Sequence, residues 1–285
     1  MTFTEKYSKI LDITREDIIK INLFDDLDLP EPLKSKLSNI LNAPSKHIRP
    51  LISLLCLKAI EAEIDEKQIQ YQTAIELVHN ASLIHDDVID DSEIRRGRKT
   101  LNSDFDSKLA VIAGDYLLAY AMKKVINIGI PELVDMFCNT LKSMTQGEIN
   151  QYFDKYKIPT IEQYIKKSEQ KTAKLFETAV SGAMIICQYS CNKEWYKNFT
   201  RNFGIAFQIR DDLINCQTSK SDINDGIYTA PVIYSGGIEL SCDGIEKTKI
   251  LLNNYLDSAK SALEIVDNNK YKQLLLELLE LFRND

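Results

Sequence analysis

Leu77-Val78-His79-Asn80-Ala81-Ser82-Leu83-Ile84-His85-Asp86-Asp87-Val88-Ile89-Asp90 is the stretch on which the reading of this chain turns. Its apolar residues recur at helical spacing, so it reads as the end of a helix over Gln68 to about Asp90. At about 100° per residue, Asp86 and Asp90 lie about 40° apart on one face, one turn from each other, while Asp87 is offset by about 100°. Two carboxylates at that spacing repel by about 0.2–0.5 kcal/mol unless a cation lies between them. The donors are carboxylate oxygens without cysteine, which selects a hard ion, and Mg²⁺ is bound through one or two carboxylates plus substrate phosphates. A solvated acidic face is the blander reading, but Leu83, Ile84, Val88 and Ile89 are core-helix company. His79 lies on the same face as the acidic pair, two turns or about 10 Å before Asp86, and is a candidate anion ligand.

The pattern recurs 125 residues later as Gln208-Ile209-Arg210-Asp211-Asp212-Leu213-Ile214-Asn215. On a helix, Gly204, Gln208, Asp211 and Asn215 fall within about 60° of each other. Two similar acidic patches on two helices point to a joint role. Directly after the first patch come Arg95, Arg96, Arg98 and Lys99, and a second basic group, Lys46-His47-Ile48-Arg49-Pro50, precedes another helix. Guanidinium forks beside metal-binding carboxylates suit a polyphosphate. Polar residues also interrupt two apolar stripes: Glu148 with Gln151, and Lys171-Thr172. Buried polar groups need partners, so each intrusion is either a bond between helices or the wall of a polar cavity.

Outward from these patches helical periodicity continues nearly everywhere. Helices are expected over Pro50 to Ile64, Ser107 to Ile128, Pro131 to Tyr156, Ile161 to Ser190, Glu194 to Asn215, Lys247 to Val266 and Tyr271 to Phe282. No β-alternating stretch survives its flanks. Ten glycines and seven prolines in 285 residues, about half the usual share, favour long elements with few turns. No linker separates two halves, and the expectation is one all-α domain over residues 1–285. A net charge of −7 argues against an open nucleic-acid surface. The six cysteines lack metal-ligand spacing and read as free thiols. The start, MTFTEKYSKILDIT, has no apolar core of a signal peptide, and the longest uncharged run, Thr178 to Asn192, is too short and polar to span a bilayer. A cytoplasmic protein without stable membrane insertion is expected.

The residues resemble the trans-isoprenyl diphosphate synthases, or polyprenyl synthetases, from Lys46 to Pro231. The resemblance rests on both Asp-rich motifs, the first matching the DDxxD pattern. It rests also on Lys46 with Arg49-Pro50, His79, Arg95-Arg96-Gly97, Ala113-Gly114-Asp115, Gly147-Glu148 with Gln151, Lys171-Thr172-Ala173 and Phe207-Gln208. It implies an orthogonal all-α bundle around a deep central cavity, the isoprenoid synthase type, usually a homodimer. The implied reaction joins an allylic diphosphate to isopentenyl diphosphate with Mg²⁺, three ions by family pattern. Carried over by position, Asp86, Asp90 and Asp211 are metal ligands, with Asp87 and Asp212 supporting them. Arg95, Lys171, Thr172 and Gln208 hold the allylic diphosphate. Lys46, Arg49, His79 and Arg96 hold the isopentenyl diphosphate. The small Ala81 and Ser82 stand where bulky aromatics in this family stop growth at fifteen carbons, so an all-trans product of twenty carbons or more is expected. The chain departs from the family pattern at Ser45, His47, Asn215 and the shortened loop 216–221. Two rivals are a class I terpene cyclase, which needs no isopentenyl diphosphate, and a non-catalytic subunit of a heteromeric synthase.

Overall fold

A computed structural model describes residues 3–23, 27–42 and 46–283. The elements in chain order are α1 (Phe3–Ile19), α2 (Glu31–Leu41), α3 (Ile48–Ala59), α4 (Glu66–Ile89), β1 (Ile94–Arg95), β2 (Arg98–Lys99), α5 (Leu101–Asp104), α6 (Ser107–Asn127) and α7 (Pro131–Phe153). There follow α8 (Ile161–Ser168), a π-helical turn (Glu169–Ala173), α9 (Lys174–Ile186), α10 (Glu194–Thr218), α11 (Ser221–Asn224), α12 (Ala230–Ser235), α13 (Cys242–Ala262) and α14 (Lys270–Arg283). The all-α class expected from periodicity is the class observed. Among the described residues the only strands are the two-residue arms of a hairpin.

The helices begin where short polar side chains satisfy the exposed backbone N–H groups of the first turn. Asp65 accepts from the Gln68 N–H at 2.9 Å, Asp106 from Leu109 at 2.7 Å and Ser241 from Gly244 at 2.9 Å. Thr160 and Gln163 form a reciprocal capping box that starts α8. The cap at Ser241 starts α13 at Cys242, ahead of the expected Lys247.

The chain falls into two compact units. One holds the described residues of 14–54 and 64–134, the other those of 1–13, 55–63 and 135–285. In the first, α4 packs along α6, where Ala110, Ala113, Gly114 and Ala121 bring the axes close. A Cβ at Gly114 would lie 2.2 Å from His85 Nε2, so the glycine makes room for that imidazole. The hairpin after α4 pairs Ile94 with Lys99 and Arg95 with Arg98. Its two central residues, Arg96 (φ 52°) and Gly97 (φ 74°), both have positive φ, as a tight two-residue hairpin turn requires. Arg95, Arg96, Arg98 and Lys99 thus belong to a tight hairpin.

In the second unit α10 is the central helix, flanked by α9, the π turn, α12 and α13. Phe176, Phe199, Phe203 and Phe282 are fully buried. Ring centroids 5.4 Å apart for Phe176–Phe203 and 5.2 Å for Phe203–Phe282, in edge-on geometry, tie α9, α10 and α14 together. The stretch expected as one helix from Ile161 to Ser190 ends at Ile186 and is interrupted by the π turn. α10 runs past Asn215 to Thr218, so the shortened loop of 216–221 shrinks further to Ser219 and Lys220 before α11. All six cysteines are free. No helix among the described residues is long and apolar enough to cross a membrane.

Candidate active site

In the first unit the α-helical hydrogen bonding of α4 reaches its end, with the Asp90 N–H bonded to Asp86 O at 2.9 Å, so Asp86 and Asp90 keep the one-turn relation that the spacing predicts. Asp86 is half-buried and Asp90 exposed, while Asp87 is buried at 5% exposure. The offset of about 100° thus separates one inward carboxylate from two outward ones. Burial raises the Asp87 pKa, against the opposing pull of Arg95. Arg95 Nε donates to Asp87 Oδ1 at 2.6 Å. Four acidic residues, Asp86, Asp87, Asp90 and Asp91, at the negative end of a helix with no basic residue in its last turn repel one another and the helix dipole.

The turn below is fixed by Ser92 N–H on Asp87 O at 2.8 Å and by the Thr100 hydroxyl on Ser92 O at 2.7 Å. Arg98 Nη1 bonds to Asn39 O at 2.7 Å, and Lys36 bonds to Lys99 O at 2.8 Å and pairs with Asp104. These contacts aim the hairpin, so Arg95 and Arg96 stand at fixed positions beside α4. His79 is the focus of the cations: its pKa lies well below the usual value, first through burial and then through Arg49, Arg96, Arg95 and His47. It is therefore a neutral imidazole among positive charges. Three of the four residues expected to hold isopentenyl diphosphate, Arg49, His79 and Arg96, form this cluster, together with Arg95, which is expected on the allylic diphosphate. Lys46 is exposed at its edge in the sequence. The cluster also contains Glu76, which the sequence reading missed. It is buried, accepts or shares a proton with His47 Nδ1 at 3.1 Å, and draws the Arg96 pKa back up against burial and Arg95. Ala81 is fully buried in α4, and the Ser82 hydroxyl bonds to His79 O at 2.8 Å. Ser45 lies outside the described residues.

In the second unit the second motif divides in the same way. Asp212 is buried at 4%, and each of its oxygens is occupied: the Tyr164 hydroxyl donates to Oδ2 at 2.6 Å and Gln208 Nε2 to Oδ1 at 2.8 Å. Burial pushes its pKa up to about 7, against those two hydrogen bonds. Asp211 points outward, its side chain 45% exposed, with Arg210 Nη1 at 3.3 Å from Oδ1. The Thr172 hydroxyl donates to Gln208 Oε1 at 2.5 Å, which completes a chain from Thr172 through Gln208 and Asp212 to Tyr164. Two expected substrate ligands, Thr172 and Gln208, are thus joined directly. Asn215 turns to Ser221, its Nδ2 donating to Oγ at 2.9 Å, and caps the short connection to α11.

Lys171 and Thr172 sit on the π turn, whose extra residue rotates them relative to α8, a device common at functional sites. A Cβ at Gly204 would lie 2.5 Å from Ala173 Cα, and one at Gly147 3.3 Å from Lys171 N. Missing side chains on α7 and α10 therefore let both helices close on this turn. The polar intrusions pair with each other: Lys171 Nζ lies 2.5 Å from Glu148 Oε2, and Gln151 Nε2 donates to Glu148 Oε1 at 3.1 Å. The sequence reading also missed Tyr164, because nothing in its local pattern distinguishes a hydrogen-bonded core tyrosine from an apolar one.

Asp86, Asp90 and Asp211 offer outward carboxylate oxygens, while Asp87 and Asp212 hold other side chains. Within each unit taken by itself, these carboxylate oxygens are the donor type that a hard divalent cation takes together with ligand oxygens. Among the described residues no three His, Cys, Asp or Glu side chains form a ready-made cage.

An all-α helical assembly with two paired-aspartate motifs, each flanked by cations, defines the isoprenoid synthase class. Residues 30–268 match the family model described as polyprenyl synthetase. The chain belongs to that family, the trans-isoprenyl diphosphate synthases, and is a trans-prenyltransferase. It is 34% identical over 244 residues to a prenyl transferase of Cyanidium caldarium, covering 80% of this chain and 75% of that one. It is 30% identical over 281 residues to the decaprenyl-diphosphate synthase of Dictyostelium discoideum, covering 87% and 61%. Its fold is similar, with a TM-score of 0.89 at 21% identity and 98% coverage of both chains, to the polyprenyl synthase of Caulobacter crescentus crystallised with calcium and isoprenyl diphosphate.

Proposed function

We propose that this chain condenses isopentenyl diphosphate with an allylic diphosphate to make an all-trans polyprenyl diphosphate of twenty carbons or more, with release of diphosphate. The observation that carries the reading is the division within each motif: one buried aspartate, Asp87 or Asp212, holds a neighbour, Arg95 or Gln208, and the aspartate before it in sequence turns toward the outside. Asp86, Asp90 and Asp211 would hold Mg²⁺, which when bound supplies positive charge to the diphosphate oxygens. Lys171, Thr172, Gln208 and Arg95 orient the allylic diphosphate. Lys46, Arg49, Arg96 and the neutral His79 receive the isopentenyl diphosphate, whose charge suits a site of guanidinium forks.

The allylic carbon–oxygen bond breaks with its electron pair leaving on diphosphate. The double bond of isopentenyl diphosphate supplies two electrons to the allylic cation, and a proton lost to the released diphosphate restores the alkene. No protein nucleophile takes part. The small Ala81 and Ser82 leave length for the growing chain, and the curated decaprenyl synthase relative supports a long product. We also propose that the two units act as one catalytic domain, in a homodimer placed in the cytoplasm; the family match across residues 30–268 supports the first of these.

The test is turnover of labelled isopentenyl diphosphate by the purified chain with primers of several lengths, with Mg²⁺ or with chelator, followed by chromatography of the dephosphorylated products. Metal-dependent products of twenty carbons or more are expected. Diphosphate release without isopentenyl diphosphate would assign a terpene cyclase, and inactivity relieved by a second chain would assign a subunit.

A further inference from the structure

Behind the π turn the second unit contains a cavity of about 210 Å³, between the end of α7, α8 and residues 226–228. It has a built wall. Tyr156 donates its N–H to Gly226 O at 2.8 Å, and Gly226 (φ 72°) lies so close to the Tyr156 ring that a Cβ would fall 2.6 Å from it. Ile227 N–H is bonded to Asp222 O at 2.7 Å. Tyr164, the buried end of the Thr172–Gln208–Asp212 chain, forms the floor. The other walls carry amides, Gln151 and Gln170 among them, and three lysines, 157, 166 and 167, against one acid, Asp154.

Lys157 is occupied with its own helix end, donating to Phe153 O at 3.0 Å. Lys167 is different. It is half-buried, and among the described residues it makes no hydrogen bond or ion pair, although Asp212, Lys171, Asp222 and Glu148 are near enough to bear on its charge. Burial is the largest of these influences and holds its ammonium below the ordinary lysine range. An ammonium drawn out of water without a direct partner costs stability, and it is one turn before Lys171. A ligand anion repays that cost.

We infer that Lys167 is a further ligand-binding residue of this enzyme, and that with Gln170 and Gln151 it holds a diphosphate group in this cavity. The inference rests on the prenyltransferase reading. The group belongs either to the allylic substrate or to the inorganic diphosphate that the reaction releases; both present the same oxygens to an ammonium and two amides.

The experiment compares the full chain with Lys167→Met, Lys167→Arg and a charge control outside the cavity, Lys155→Met. Calorimetry measures binding of inorganic diphosphate, with inorganic phosphate for comparison, in the presence of Mg²⁺. Steady-state kinetics measure KM for each substrate, and thermal unfolding measures stability. Lys167→Met is expected to weaken diphosphate binding or to raise the primer KM by about tenfold or more. KM for isopentenyl diphosphate should stay unchanged, and Tm should be equal or higher because a desolvated charge is gone. Lys167→Arg should restore most of the binding. A rise in primer KM alone assigns the substrate's diphosphate; weaker binding of inorganic diphosphate alone assigns the product. Unchanged values of both in Lys167→Met, or equal losses in Lys155→Met, overturn the inference. A wild-type chain without prenyl transfer whose diphosphate binding still depends on Lys167 would overturn the reaction and leave the site standing.

Discussion

Tyr164 on α8 donates its hydroxyl hydrogen to Oδ2 of Asp212 on α10 across 2.6 Å, and both side chains are buried. The second oxygen of Asp212 holds Gln208, which in turn accepts from Thr172. The tyrosine is thus the fixed end of a chain that orients two proposed substrate ligands. Tyr164→Phe removes one donor from a buried carboxylate and is expected to cost about 1–3 kcal/mol of stability. Chemical denaturation measures that loss. Primer KM should rise with it, because Gln208 loses the partner that fixes its amide; a variant with wild-type stability and KM would show that the hydrogen bond positions nothing.

The π turn depends on two glycines that press on it from either side. Gly204→Ala would set a methyl group 2.5 Å from the Ala173 backbone, which neither helix can yield without shifting. A loss of about 1–3 kcal/mol is expected, as for an overpacked core. Gly147→Ala meets its neighbours at 3.3 Å, a distance that a few tenths of an ångström relieve, and should cost less. The order of the two melting temperatures checks the packing, and the order of their activities checks whether Lys171 and Thr172 need the π geometry.

The long helices from α3 onward were legible because their apolar residues recur at helical spacing, and α4, α6 and α14 lie within about two residues of their expected ends, whereas no helix was expected over α1, α2 or the short α5, α11 and α12. The paired intrusions were legible too, since Glu148, Gln151 and Lys171 interrupt apolar faces and satisfy one another. What escaped was non-local. The π turn exists through contacts with Gly147 and Gly204, which are distant in sequence, and periodicity averages over one inserted residue. Arg96 and Gly97 carried a turn signal that the surrounding charges hid. Glu76 and Tyr164 occupy core positions of their helices, where pattern alone cannot tell a hydrogen-bonded polar atom from a methyl group.

His79 provides a pH signature. Burial, then Arg49, Arg96, Arg95 and His47, hold its folded-state pKa well below the ordinary 6.5. Above that value the imidazole is neutral in both the folded and unfolded chain and contributes no pH dependence. As pH falls below it, the unfolded chain takes up a proton that the folded chain resists, so stability declines by up to about 1.4 kcal/mol per pH unit from this group. His79→Gln removes the effect. The difference in unfolding free energy between variant and wild type should therefore shift in favour of the variant between pH 6.5 and about 5. A constant difference across that window would mean that His79 is not held neutral by its cationic surroundings.

Neighbouring aspartates with opposite duties give the most direct test of the site. Asp211 is 45% exposed, and its carboxylate meets the guanidinium of the buried Arg210 at 3.3 Å. Asp212 is buried and accepts from two donors. Asp211→Ala is expected to lower the melting temperature less than Asp212→Ala does, because its carboxylate is partly in solvent, while turnover in Mg²⁺ falls by about 100-fold or more, as loss of a group that holds charge against the leaving diphosphate should. Asp212→Ala leaves the Tyr164 hydroxyl and the Gln208 amide without their acceptor and is expected to cost about 1–3 kcal/mol of stability. Raising the Mg²⁺ concentration should recover part of the Asp211→Ala loss, since a weakened metal site fills by mass action, and none of the Asp212→Ala loss of stability. If both variants unfold early, or if Asp211→Ala turns over normally, the outward carboxylate is not a metal ligand.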